Sequence, residues 1–170
     1  VPDPDLGSRP TPTASRVGMA RSAPTRIVVP RIGIDAGIMS LGLRGDGSLE
    51  VPPLKQAQLA GWYRGGPSPG EIGNSVIVGH VDSRAMGPAV FYRLGALTAG
   101  DEIAVAREDG AVARFRVDSV ASYPKKDFPT ELVYGPTGQP SLRLVTCGGQ
   151  FDSKKRTYLN NIVVTATLDT

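Results

Sequence analysis

The chain has 170 residues and a formal net charge of +3, with 40% hydrophobic and only 6% aromatic residues. That length predicts one domain with a sizeable core, built from Val, Ile, Leu and Ala. The mild charge, without a Lys/Arg block interleaved with aromatics, argues against a nucleic-acid binder. The lack of any run of about 18 apolar residues excludes a membrane-spanning helix in this stretch.

Gly (21) and Pro (15) together exceed a fifth of the chain, which favours turns and short strands over long helices. Residues 1–24 are rich in Pro, Ser, Thr, Arg and Gly, without apolar periodicity. They read as an extended linker or stalk, or a frayed terminus, with the domain proper at 25–170. The chain begins at Val1 and reads as a trimmed or processed product, and the stalk reading of 1–24 carries the expectation of a membrane anchor upstream.

Arg26–Pro30 and Arg31–Ile34 read as short strands, and Gly37–Leu43 continues the β pattern to the turn at Gly45–Ser48. Leu49–Pro53 leads into a polar loop, Gly61-Trp62-Tyr63 follows, and Asn74–His80 is a continuous apolar strand. Ala89–Leu94 reads as one short helix. Glu102–Arg107 and Ala111–Ala121, joined through Asp109-Gly110, form a hairpin. Residues 124–140 make a Pro-rich loop with a helical turn at 129–134. Strand 141–147, a loop at 148–156 and strand 158–168 complete the chain. About eight short strands, expected to pair antiparallel, point to an all-β sandwich or barrel.

The chain holds one cysteine and one histidine, and each closes a strand: His80 ends 74–80 and Cys147 ends 141–147. A lone cysteine excludes an internal disulfide, and one His with one Cys makes no closed zinc site, so no metal or cofactor is expected. A thiol needs a base or cation beside it to become a good nucleophile, and histidine is its usual partner. Strand alternation puts Arg143, Val145 and Cys147 on one face and Leu142, Leu144 and Thr146 on the other, expected to be the core. Gly148-Gly149 then permits a sharp turn and close approach of a ligand. The ordinary fate of a free cysteine is a small buried hydrophobe, and a lone histidine is mostly a satisfied polar residue, so the pair needs further support.

That support comes from the flanking residues. Leu144-Val145-Thr146-Cys147 resembles the Thr-Leu-x-Thr-Cys signature of sortases, and Val78-Gly79-His80 resembles the strand end that bears their histidine. Gly79-His80-Val81-Asp82-Ser83, Phe91-Tyr92-Arg93-Leu94 and Thr146-Cys147-Gly148-Gly149-Gln150-Phe151-Asp152 look most like class F sortases. The resemblance spans about 26–168. It implies a closed eight-stranded sortase β-barrel with one or two short helices, acting as a cysteine transpeptidase on the extracytoplasmic face of the membrane or in the cell wall. Its implied partners are the Leu-Pro-x-Thr-Gly-like sorting signal of secreted proteins, cleaved between Thr and Gly through a thioacyl-enzyme, and an amine from a peptidoglycan precursor or pilin. Carried over, Cys147 is the nucleophile and His80 the general acid and base.

The family's catalytic arginine sits early on the last strand, where this chain has Asn160. Two arginines compete for the role: Arg156, in the preceding loop, and Arg143, on the face of Cys147 about 13 Å along the strand. Asp82 either orients the imidazole or caps its turn. The competing functions are a cysteine hydrolase of cell-wall peptides and a secreted β-barrel binding module with an inert thiol.

Overall fold

The computed structural model describes residues 18–47, 49–83, 87–124, 127–152 and 157–169, with the backbone alone for Leu54, Ser83, 147–152 and 157–159. The strands are β1 (Pro24–Val29), β2 (Ile34–Leu41), β3 (Ala60–Tyr63), β4 (Gly73–Gly79), β5 (Asp82–Ser83), β6 (Gly87–Pro88), β7 (Glu102–Arg107), β8 (Val112–Pro124), β9 (Pro140–Asp152) and β10 (Thr157–Leu168). Eight of them close a barrel in the order β1-β2-β3-β4-β9-β10-β8-β7, and β5 and β6 form a separate small ribbon. Closure removes exposed sheet edges, which a chain of short strands otherwise has to protect.

The hairpin β7–β8 follows the sequence reading. Gly110 takes φ +86 in its turn, and Ile103, Val105, Ala113, Phe115 and Val117 alternate into the core. Each fully buried aliphatic or Phe side chain there contributes about 1.5–3 kcal/mol.

Uniform antiparallel pairing does not hold. β2 pairs parallel with β3, and β4 pairs parallel with β9. The physical reason is visible in β4, where every residue is buried. An antiparallel sheet open to water on one side alternates, whereas a strand covered on both faces reads as a continuous apolar run. Ile77 faces the barrel core with Leu142 and Leu144 of β9. Val76 and Val78 face outward into a second cluster with Leu41, Val145, Val163 and Val133. The outer face of β4 and β9, expected from strand parity to be open, is therefore itself a small core.

That outer core is capped by α1 (Thr130–Tyr134), the one α-helix among the described residues and the helical turn expected at 129–134. A single turn leaves its last carbonyls without helical partners. Asn74 Nδ2 donates to Gly135 O at 2.9 Å and Arg143 Nε donates to Leu132 O at 2.9 Å, so β4 and β9 hold α1 down through side chains.

Two further expectations change. Residues 89–94 form a succession of tight turns ending in a 3-10 turn at Leu94–Ala96, not an α-helix. Their bonds run from residue i+3 to i, as in Tyr92 N to Ala89 O and Leu94 N to Phe91 O, because Val90, Phe91 and Leu94 must all reach the core. β9 also runs on through Gly148-Gly149 to Asp152, with Gly148 paired to Asn160 and a register shift before Phe151 pairs Tyr158, so the glycines stay within the strand.

Residues 18–23, ahead of the expected domain start, lie along the loop before β4. Met19 N donates to Gly70 O at 2.8 Å and Ser22 N to Ser68 Oγ at 3.1 Å. Arg107, 4% exposed, donates to Pro69 O at 2.8 Å and to Ala20 O, and pairs with Asp109 at 2.7 Å. Of the linker or stalk expected at 1–24, residues 1–17 lie outside the described residues.

Candidate active site

His80 and Cys147 are brought together by the parallel pairing of β4 and β9. The ladder ends with Gly79 opposite Thr146, so His80 and Cys147 each stand one residue beyond the last pair. Neighbouring strands lie about 4.8 Å apart, so the two residues begin as backbone neighbours. Thr146 Oγ1 donates to Gly79 O across this last pair, tying the two strands together at the end of their ladder.

His80 is fixed from several sides. Its carbonyl accepts from Phe91 N at 3.0 Å, and the next carbonyl, of Val81, accepts from Ala89 N at 2.8 Å. The ring Nε2 lies 2.6 Å from Pro52 O. A carbonyl can only accept, so Nε2 carries the proton and Nδ1 is the ring atom left to exchange one. Gly79 permits this packing: a Cβ there would stand 2.7 Å from both Phe91 Cδ2 and Val90 Cγ1.

Beside His80 opens a cavity of about 280 Å³, lined by Pro52, Val78, Val145, Thr146, Tyr134 and Asn161, among others. Asn161 is the cross-strand partner of Cys147 in the β9–β10 ladder, and its Nδ2 donates to Thr146 O at 3.1 Å. Asn160, which stands where the resemblance puts the family's arginine, pairs with Gly148 and donates to Ser122 Oγ at 3.0 Å. Asn161 and Pro52 are not among the residues the sequence marks as site candidates. The pairing register of the last two strands signals the first. Nothing local in Val51-Pro52-Pro53 signals a contact with a ring 28 residues away.

The two arginines fare differently. Arg143 stands opposite Val76 on β4, four residues before Cys147, and its guanidinium is engaged by the carbonyls of Leu132 and Leu142. Burial lowers its pKa from the ordinary value, with Asp118 acting in the opposite sense; a guanidinium stays charged regardless. Arg156 lies outside the described residues. Asp82 belongs to the β5–β6 ribbon, opposite Pro88.

Tyr134 closes the cavity from the α1 side and meets Tyr63 edge-on at 6.0 Å between ring centroids. Burial, and secondarily Tyr63, raise its phenol above the ordinary value, so the hydroxyl is neutral at physiological pH. A histidine with one nitrogen anchored, set beside a cysteine position and an apolar cavity, suits attack of a thiolate on a bound acyl group.

A sortase-domain family profile matches residues 27–169. Among solved structures, sortase C-1 from Actinomyces oris superposes with a TM-score of 0.65 at 20% identity, over 86% of this chain and 73% of that one. The sortase D5 transpeptidase of Clostridium perfringens gives 0.63 at 20% identity, over 87% and 79%. A lid mutant of sortase A from Corynebacterium diphtheriae gives 0.65 at 18% identity, over 89% and 73%. No curated protein sequence matches the chain. The chain belongs to the sortase family and is a transpeptidase of the sortase type. Sortases act at the cell surface or cell wall, and no helix among the described residues is long and apolar enough to cross a membrane.

Proposed function

We propose that the chain is a cysteine transpeptidase that cleaves a Leu-Pro-x-Thr-Gly-like sorting signal between Thr and Gly. The observation that carries this reading is the placement of His80 and Cys147 one step past the Gly79–Thr146 pair, beside the cavity. The Cys147 thiolate attacks the Thr carbonyl carbon, the C–N bond breaks, and protonated His80 gives its proton from Nδ1 to the leaving Gly amine. A thioester remains. An incoming amine attacks it, returns a proton to Nδ1, and releases the thiolate, so that one amide bond is exchanged for another.

Arg156 is the cation we assign to the developing oxyanion. It lies nine residues after Cys147, in the connection to β10, while Arg143 is occupied with α1. The acceptor is an amine of a peptidoglycan precursor or pilin subunit. Action at the extracytoplasmic surface, from an anchor upstream, and membership of class F belong to the same reading. The class rests on the Gly79–Ser83 and Thr146–Asp152 motifs.

The test is incubation of the full chain with a labelled Leu-Pro-x-Thr-Gly peptide, with and without a triglycine amine. A ligated product that requires Cys147 and His80 supports the reading. Free acid alone, at the same rate with and without amine, favours the hydrolase.

A further inference from the structure

The cavity at His80 does not end there. Phe128 and Tyr134 line both it and a second hollow of about 840 Å³, which continues to Tyr63, Leu49, Leu43 and Asn74. The two hollows meet at Phe128 and Tyr134 and lie between the 43–52 and 128–134 segments, with His80 lining the first and Asn74 the second.

Three observations mark the far stretch as a place for a ligand. Asn74 is 7% exposed, and its Nδ2 is used on Gly135 O. Its Oδ1 accepts nothing among the described residues. An unpaired buried acceptor carries a cost that native proteins usually avoid. Three of the exposed large apolar side chains also line the two hollows: Leu43 (55% exposed) the far one, Val51 (44%) the near one and Tyr134 (41%) both. Such edges mark binding surfaces. The far stretch is also continuous with the cavity of the proposed chemistry, so whatever occupies the first leads into the second.

Length identifies the occupant. From Asn74 to His80 is six steps of strand, about 20 Å. The four residues Leu-Pro-x-Thr before the scissile bond span at most about 14 Å when extended. The remaining 6 Å or so is about two residues.

We infer that the Tyr63–Asn74 end of the groove binds the residues immediately N-terminal to the sorting pentapeptide and selects a large apolar or aromatic side chain there. This rests on the transpeptidase reading for the direction of the peptide. The walls of Leu43, Leu49, Tyr63 and Phe128 supply the apolar contact.

The test uses the isotope-labelled full chain, titrated with peptides that carry Phe, Gly or Asp two residues before the pentapeptide. Acylation of Cys147 is followed by mass in the same samples. The Phe peptide is expected to bind about tenfold tighter than the Gly peptide, the scale set by one apolar side chain in a pocket. The Asn74 side-chain amide resonance should move with the Phe peptide. The gain should disappear in Thr130→Trp, which fills the hollow from an exposed position, and in Leu43→Glu. Equal affinities for the three peptides, or a gain that survives in Thr130→Trp, would overturn the inference. Upstream preference without acylation of Cys147 supports the subsite and contradicts the transpeptidase reading. Acylation without preference does the reverse.

Discussion

His80 and Cys147 each stand one residue beyond the Gly79–Thr146 pair that ends the parallel ladder of β4 and β9. Two residues 67 apart in sequence become backbone neighbours because two strands run the same way and their pairing ends at that level. The polarity of the ring follows from Pro52 O at 2.6 Å from Nε2. Proton NMR correlated to the ring nitrogens should show Nε2 protonated in the neutral imidazole. A neutral ring protonated on Nδ1 contradicts the proton path through Nδ1. His80→Gln should lower kcat/KM by about 10² to 10⁴ with the fold intact, as expected for loss of a general acid and base.

The arginines divide by what they touch. Arg156→Ala should lower kcat/KM by about 10² or more, the loss seen when an oxyanion donor is removed. Arg143→Ala should act on stability instead, by about 1–2 kcal/mol, because Leu132 O loses its charged donor and α1 its tie to β9. Steady-state kinetics and urea melts on both variants separate these roles. A loss of two decades in Arg143→Ala with unchanged stability would reverse the assignment.

Gly79 is where packing and chemistry meet. Gly79→Ala pushes a methyl to 2.7 Å from the Phe91 ring, and overpacking of this kind costs about 1–3 kcal/mol. Phe91 N also holds the His80 carbonyl. The variant should therefore lose both urea resistance and kcat, whereas a purely structural glycine would lose the first alone.

Arg107 is the clamp for residues 18–23. Arg107→Ala leaves Pro69 O and Ala20 O without their donor and should cost about 2–3 kcal/mol, read as a lower urea midpoint with unchanged slope. Its partner Asp109 has a pKa below the usual 3.8, first through the Arg107 hydrogen bond and next through the Ala111 amide. A carboxyl with a depressed folded pKa contributes stability that is present above its unfolded value and is lost as pH falls through the folded one. The stability gap between wild type and Asp109→Asn should hold at neutral pH and close below about pH 3.8. A gap that persists into strong acid would mean that the Asp109 charge is not what holds the clamp.

Elements with local signals were legible in the sequence. The Asp109-Gly110 hairpin, the helical turn expected at 129–134 and the apolar strand leading to His80 stand where propensity and alternation put them, whereas the strand of Cys147 runs on to Asp152. Pairing direction was not legible, because an apolar run such as Asn74–Gly79 reads alike in parallel and antiparallel sheets once both faces are covered. Arg143 read as a candidate for the site because parity places it on the Cys147 side. Only the presence of α1 on that face shows its guanidinium held by Leu132 O. Pro52 and Asn161 were hidden for the same reason, since each acts through a partner distant in sequence.

The central claim is that Cys147, served by His80, takes up the acyl group of a sorting signal. Intact-mass spectrometry after incubation with a Leu-Pro-x-Thr-Gly peptide, without added amine, tests it most directly. The account predicts a mass increase equal to the peptide through its Thr, mapped to Cys147, absent in Cys147→Ala and much slower to form in His80→Gln. An unmodified Cys147 across a panel of such peptides, with the thiol reactive only after unfolding, would contradict it.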